Sequence, residues 1–350
     1  MSDERHYVPV VRWKQAERLA LRHLQFDDKQ HITPIIELTP KILGKPGSAL
    51  LKVVEEITAD WGHAAAFVDL QHLGPSFRSQ AGFHPLTLLG ESARNEKLDL
   101  VYVTPLKPAP EFVDALRREI QRDGRGVCLR MRLGEAATQT CWAAIATLLD
   151  RLRVNMNEVD LVIDGGVIGS QLSLASLTPQ LGELAAWRSW TFPKDLQGLD
   201  LGSNLLPRTE WRNWQTWRSE AAQRHLPRFG DFTIQWAAYE EPPEASNPSA
   251  SIRYTTVEGS LVMRGEAIRA PDGTTRYEQY PANAELLCAR PEFCGEGYSY
   301  GDQYIWAMAT RRTRTTGSPM TWLLAGINHH MTLVIRQLQA QFASSEPAHH

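Results

Sequence analysis

Charged residues in this chain recur at one kind of place, the end of a short apolar run. Arg12 and Lys14 close the run at 7–13, Glu37 closes 32–38, Asp69 closes 65–70, Arg130 and Arg132 close 127–133, Asp164 closes 159–164 and Lys194 closes 190–194. Glu37, Asp69 and Asp164 are carboxylates of the kind that hold a divalent metal such as Mg2+ or serve as general acid and base. Arg12, Lys14, Arg130, Arg132 and Lys194, with Lys107 just past the run at 100–106, suit an anionic ligand, and arginine suits bidentate contact with phosphate or carboxylate. The same pattern arises when charges crowded into one interior neutralise one another, so the reading turns on where the chain positions them.

A second group of chemically capable residues is Asn328-His329-His330. Neighbouring histidines on a helix diverge by about 100°, so one of them at most faces a given pocket. The metalloprotease pattern H-E-x-x-H is absent, which leaves packing or proton transfer as their roles. Other motifs are excluded as well. No G-x-G-x-x-G follows the first apolar run, and no phosphate-binding G-x-x-x-x-G-K-S/T loop occurs. The glycines after Asp164 read as a tight turn between a strand and a helix. Cys128, Cys141, Cys288 and Cys294 have neither zinc-knuckle nor disulfide-framework spacing and read as free thiols. Trp211, Trp214 and Trp217 share one helix face and read as core.

Composition sets the class of protein. The 350 residues are 43% hydrophobic and 22% charged, with a formal net charge of −3, which excludes a disordered, collagen-like or disulfide-scaffold chain. So small a charge gives no bulk electrostatic grip on nucleic acid or on an anionic membrane. The amino end lacks the plan of a signal peptide, and no apolar run reaches the roughly 18 residues that span a bilayer, so a cytoplasmic protein without membrane contact is expected.

The elements that must position the charged residues follow from the runs themselves. Eight such runs, at 7–13, 32–38, 65–70, 100–106, 127–133, 159–164, 190–194 and 232–237, alternate with amphipathic segments. That succession predicts an α/β fold, a (β/α)8 TIM-like barrel over residues 1–241. An acidic, proline-rich stretch at 242–250 reads as a linker. Residues 251–343 are expected to form a hairpin and helices packed on the barrel, and 344–350 a disordered tail. Side chains alternate across a strand, and the wholly apolar phase should face the helices. The other phase then points inward and carries Arg12, Lys14, Glu37, Asp69, Arg130, Arg132, Asp164 and Lys194, with Thr233 and Gln235 from the eighth run. Barrel enzymes carry their chemistry at this carboxyl-terminal end of the strands.

The later segments resemble a known family. Ser251-Ile252-Arg253-Tyr254-Thr255, Val262-Met263-Arg264-Gly265, Tyr298-Ser299-Tyr300-Gly301-Asp302, Gly317-Ser318-Pro319-Met320-Thr321-Trp322 and Asn328-His329-His330 resemble, in this order, the phage and prophage "beta protein" family. The openings Tyr7-Val8-Pro9-Val10-Val11-Arg12-Trp13-Lys14 and Ile32-Thr33-Pro34-Ile35-Ile36-Glu37 are similar to its first two strands. The resemblance implies a phage or prophage setting and a role in anti-phage defence, with a protein partner in a defence module, and it supplies no established reaction. It also draws Arg253, Tyr254, Arg264, Asp302, Asn328 and His329 or His330 into an expected outer layer over the barrel mouth.

The leading expectation is a metal-assisted hydrolase acting on a phosphate-containing ligand, a nucleotide or a nucleic-acid end. Arg12, Lys14, Arg130, Arg132 and Lys194 would hold the phosphate, and Glu37, Asp69 and Asp164 would bind the metal or activate water. One of His329 and His330 would protonate the leaving group. The alternative is a non-catalytic sensor that recognises a phage-derived ligand or protein partner through the same mouth.

Overall fold

The computed structural model describes residues 6–40, 48–74, 77–78, 82–166, 189–194, 205–208, 211–212, 214–215, 228–239 and 246–343. Among the described residues nine strands precede residue 240: β1 (Val10–Arg12), β2 (Ile35–Glu37), β3 (Ala66–Asp69), β4 (Leu100–Thr104), β5 (Val127–Arg132), β6 (Val159–Asp164), β7 (Ser189–Lys194), β8 (Leu205–Pro207) and β9 (Arg228–Asp231). All but β8 form one eight-stranded sheet in chain order, each neighbour parallel to the last. The two end strands also approach each other. A parallel bridge links Tyr7 to Phe229, and the Val8 N–H donates to the Phe229 carbonyl at 2.9 Å.

Helices α1 (Gln15–Arg22), α2 (Phe26–Lys29), α3 (Ser48–Asp60), α4 (Pro85–Asn95), α5 (Pro110–Asp123), α6 (Leu133–Ala136) and α7 (Cys141–Leu152) fill the connections as far as β6. Helix α5 shows the local logic. Proline at its first position lacks an N–H that would go unbonded there anyway, Val113, Leu116 and Ile120 are buried on one face, and Gly124 ends it at φ +66°, a conformation that favours glycine. The connection after β6 and most of the one around β8 lie outside the described residues, as does Trp217. The structure is therefore a mixed α/β fold with a parallel sheet flanked by helices.

Alternation along the strands gives the sheet two apolar faces. Val11, Ile36, Val68, Leu129 and Leu161 pack outward with Leu21, Val54, Leu89, Leu116 and Leu149 of the helices. Val8, Val10, Ile35, Phe67, Val101, Val103, Cys128 and Val162 form a separate inner cluster. Two of the expected positions differ. The last strand is β9, upstream of the run at 232–237, because Thr233 has a φ of +57° and the Gln235 N–H turns back to the Phe232 carbonyl at 3.0 Å. Thr233 and Gln235 thus sit in a turn, with Phe232 plugging the inner cluster. In β7, Lys194 pairs in register with Asp231, and Phe192 with Phe229, whose ring belongs to the outer core. The side chain of Lys194 lies outside the described residues, and with it the inward position expected of that residue.

Beyond residue 246, β10 (Ile252–Thr255) and β11 (Gly259–Met263) form the expected antiparallel hairpin, and β8 adds to β11 from upstream. Helices α8 (Gln279–Cys288), α9 (Tyr300–Ala309) and α10 (Pro319–Ala343) follow. Ile327, Met331, Val334, Ile335 and Leu338 of α10 enter the outer core of the sheet. Trp322 and Ala325 enter a second core with Ile252, Tyr254, Tyr280 and Ile305. Helix α10 thus joins the carboxyl-terminal segments to the sheet. Among the described residues no helix is long and apolar enough to cross a membrane.

Candidate functional site at the strand ends

The centre of the site is Arg130, on the inner phase of β5 and 7% exposed. Its Nη1 donates to Glu37 Oε1 and to Asp69 Oδ2, both at 2.8 Å, and its Nε and Nη2 donate to Asp164 Oδ2 at 3.0 and 2.5 Å. Register brings these groups together, since Glu37 pairs with Asp69 across β2 and β3 and Arg132 with Asp164 across β5 and β6. The Gln71 and Gly166 N–H groups donate to the free oxygens of Asp69 and Asp164, each at 2.8 Å, as side-chain turns at the strand ends. Gln71 Nε2 also donates to Glu37 Oε1 at 2.8 Å, and His72 Nε2 lies 3.3 Å from Glu37 Oε2.

The neighbouring carboxyls are pushed in opposite directions. Burial raises Glu37, but His72 and Arg130 outweigh it and hold the carboxyl down at about 2. Burial wins at Asp69, which is raised above the usual aspartate range despite Arg130. For Arg130, burial opposes the charge and is overcome by Asp164, Glu37 and Asp69, so the guanidinium stays firmly ionised.

Above this floor lies a cleft of about 550 Å³, bordered by Glu37, His72, Arg130, Arg132, Asp164 and Tyr239. Arg12 is fixed at its edge, with Nη2 donating to the carbonyls of Trp236, Ala237 and Ala238 at 2.7, 3.1 and 2.8 Å. The guanidinium of Arg12 and the ammonium of Lys14 each sit 5.5 Å from the Tyr239 ring centre, and the His72 ring is 4.7 Å from it. Arg132 is exposed, and neither it nor Lys14 pairs with a carboxylate among the described residues.

Comparison with known protein families matches residues 7–336 to the family described as Beta protein. The chain belongs to the Beta protein family. The match runs from the first bridge of the sheet into α10, so it covers the strand-end cluster and the carboxyl-terminal segments alike. No curated protein matches the chain.

Of the residues expected at the mouth of this Beta protein, Arg12, Lys14, Glu37, Asp69, Arg130, Arg132 and Asp164 come together there. A divalent-metal site at Glu37, Asp69 and Asp164 does not fit, because the three carboxylates converge on a guanidinium that occupies the place of the ion. Among the described residues no group of three His, Cys, Asp or Glu side chains is placed to hold a metal.

The remaining expected residues lie elsewhere. His329 and His330 are completely buried against the outer face of the sheet, away from the mouth. His330 Nε2 bonds Asp231 Oδ2 at 2.8 Å, and Asp231 also receives the Tyr7 hydroxyl. His329 bonds Asp302 Oδ2 and the Thr255 carbonyl, both at 2.7 Å, while Tyr254 and Ser299 donate to Asp302 at 2.7 and 2.6 Å. Asn328 links the α9 start to α1, accepting from the Gly301 N–H and donating to the Ala20 carbonyl. Arg253 donates to the Ile234 carbonyl at 2.8 Å, and Arg264 is half-buried. His330, Asn328 and Arg253 join the carboxyl-terminal segments to β9, to α1 and to the turn after β9, and none of these expected residues borders the strand-end cleft.

Four participants were missed in the sequence. Gln71 and His72 sit two and three residues past the end of β3, and Tyr239 lies in the turn region after β9, so the segments that follow strand ends were the available signal. Glu17 gave no signal. It lies on α1 behind Arg12 and Lys14, where burial raises its carboxyl to about 7.

Proposed function

We propose that this chain is a phage-associated binding protein whose strand-end cleft takes a small anionic ligand bearing a phosphate group, and that the parallel sheet belongs to a closed (β/α)8 barrel. The observation that carries the reading is the separation of charge across the cleft. Glu37, Asp69 and Asp164 are turned inward onto Arg130, while the cations Arg132 and Lys14 remain at the accessible edge without carboxylate partners among the described residues. A ligand entering there meets positive charge first, with Tyr239 and His72 as its wall. Because Arg130 engages all three carboxylates, recognition without turnover is favoured, as in a sensor of a defence module that signals to a protein partner.

Titration calorimetry of the full-length protein with inorganic phosphate and pyrophosphate tests this reading. Saturable binding that weakens at least tenfold in the Lys14→Ala, Arg132→Ala double variant is expected. Binding of neither anion, or equal binding by the double variant, overturns it.

The opposed shifts of Glu37 and Asp69 favour one second reading, phosphoester hydrolysis with Asp69 as proton donor. Turnover of a nitrophenyl phosphate that disappears in Asp69→Asn would replace the sensor by an enzyme.

A further inference from the structure

A second cleft, of about 700 Å³, opens beside the first at the same end of the sheet. It lies between the loops that follow β3 and β4 and the starts of α4 and α5, and its wall is chemically unlike the first. Leu70, Leu73, Phe77, Val103, Phe112 and His84 line it. The two clefts meet at Gln71, which borders both. Asp69 also borders the second cleft while its Oδ2 accepts from Arg130 in the floor of the first.

We propose that the two clefts form one bipartite site for a nucleoside phosphate, with the phosphate against Arg132 and Lys14 and the base among Phe77, Phe112 and His84. This rests on the anion-binding reading of the first cleft. Three flat side chains favour a planar ring over an aliphatic tail, since a base has two faces to stack and an alkyl chain has none. The His84 and Phe112 rings meet edge to face at 5.6 Å. Burial, with help from Arg78, lowers His84 to about 4, so its ring is neutral at pH 7 and desolvating it against a base removes no charge from water. His84 Nδ1 accepts the Leu86 N–H at 3.2 Å, which puts the imidazole proton on Nε2. At the rim Arg78 is engaged by Glu111, and the exposed Lys107 also borders this cleft, so charge is confined to its edge while the three rings form its wall. A volume of this order accommodates a base and its sugar.

The test is calorimetry of the full-length protein with four probes: inorganic phosphate, adenosine 5′-monophosphate, guanosine 5′-monophosphate and hexyl phosphate. At least one nucleotide should bind about tenfold or more tightly than phosphate, and hexyl phosphate no more tightly than phosphate. Phe112→Leu should abolish the nucleotide's advantage and leave phosphate affinity unchanged. Leu73→Trp, which fills the cleft from its wall, should do the same and serves if Phe112→Leu does not fold. Phosphate binding with no gain for either nucleotide overturns the bipartite site and leaves the anion cleft standing. A gain for hexyl phosphate equal to that of the nucleotides overturns the choice of a base. Binding of none of the four removes both proposals.

Discussion

Around Arg130, three carboxylates meet one guanidinium beside an open cleft, whereas around His329 and His330 two carboxylates, Asp302 and Asp231, meet two imidazoles in a volume closed to solvent. The two clusters use similar residues on opposite faces of one sheet. In the closed one every named group finds its partner within the protein, and those partners come from β9, β10, α9 and α10. That cluster fastens two parts of the chain together. In the open one each carboxylate also meets Arg130, but Arg132 and Lys14 have no carboxylate partner among the described residues. Buried, reciprocated polar groups mark architecture here, and the cations without carboxylate partners among the described residues mark the place proposed for a ligand.

Removing the centre of the open cluster gives the largest effect. Arg130→Leu strands three carboxylates within a shared buried space, and a loss of about 3–5 kcal/mol in urea denaturation is expected. Arg130→Lys should recover part of it, since one ammonium cannot reproduce the guanidinium's fork to Asp164 together with its bonds to Glu37 and Asp69. The equivalent cut in the closed cluster, Asp302→Ala, leaves His329, Tyr254 and Ser299 without their acceptor and is expected to cost about 3 kcal/mol. The contrast is in binding: phosphate affinity of folded Asp302→Ala should stay within about twofold of the parent. A large affinity loss at full folding would mean that the two faces are coupled.

Two buried glutamates sharpen the comparison through pH. Glu17, raised from 4.5 to about 7, binds its proton in the folded chain at a pH where the unfolded chain has released it. Stability from this group is therefore fullest below 4.5 and falls as pH rises toward 7, by up to about 3 kcal/mol. Glu17→Gln should be the more stable protein at pH 8 by about 1–3 kcal/mol, with the advantage gone near pH 4.5. Glu37 works the other way. Held at about 2, it contributes stability above 4.5 that is lost as pH falls toward 2, and Glu37→Gln should remove that part of the acid dependence.

The sequence made the open cluster legible because period-two alternation and strand-end placement are local. Glu37, Asp69, Arg130 and Asp164 could be aimed at one opening before any contact was known. The partner of each could not be read, since Arg130 is separated from Glu37 by 93 residues and its choice among three carboxylates depends on register between strands. The α/β class with a parallel sheet was legible for the same local reason, and β9 was misplaced because the apolar run at 232–237 is a turn whose Phe232 is buried by packing. The histidines misled for a different reason. Their chemistry suggests a site, and only the docking of α10 on the outer face shows that Asp231 and Asp302 already use them.

Arg132→Ala is the smallest change in stability and the one that decides between the faces. The side chain is exposed and pairs with no carboxylate among the described residues, so removing it should shift the unfolding free energy by less than about 0.5 kcal/mol. Its effect on phosphate should be a weakening of several-fold that shrinks as salt rises from low to physiological strength, because an exposed charge acts through a screened field. A loss that ignores salt would instead place Arg132 in direct, desolvated contact with the anion. No loss at any ionic strength would shift the anion's partner to Lys14 and Arg12 beside the Tyr239 ring, and Lys14→Ala alone should then carry the whole effect.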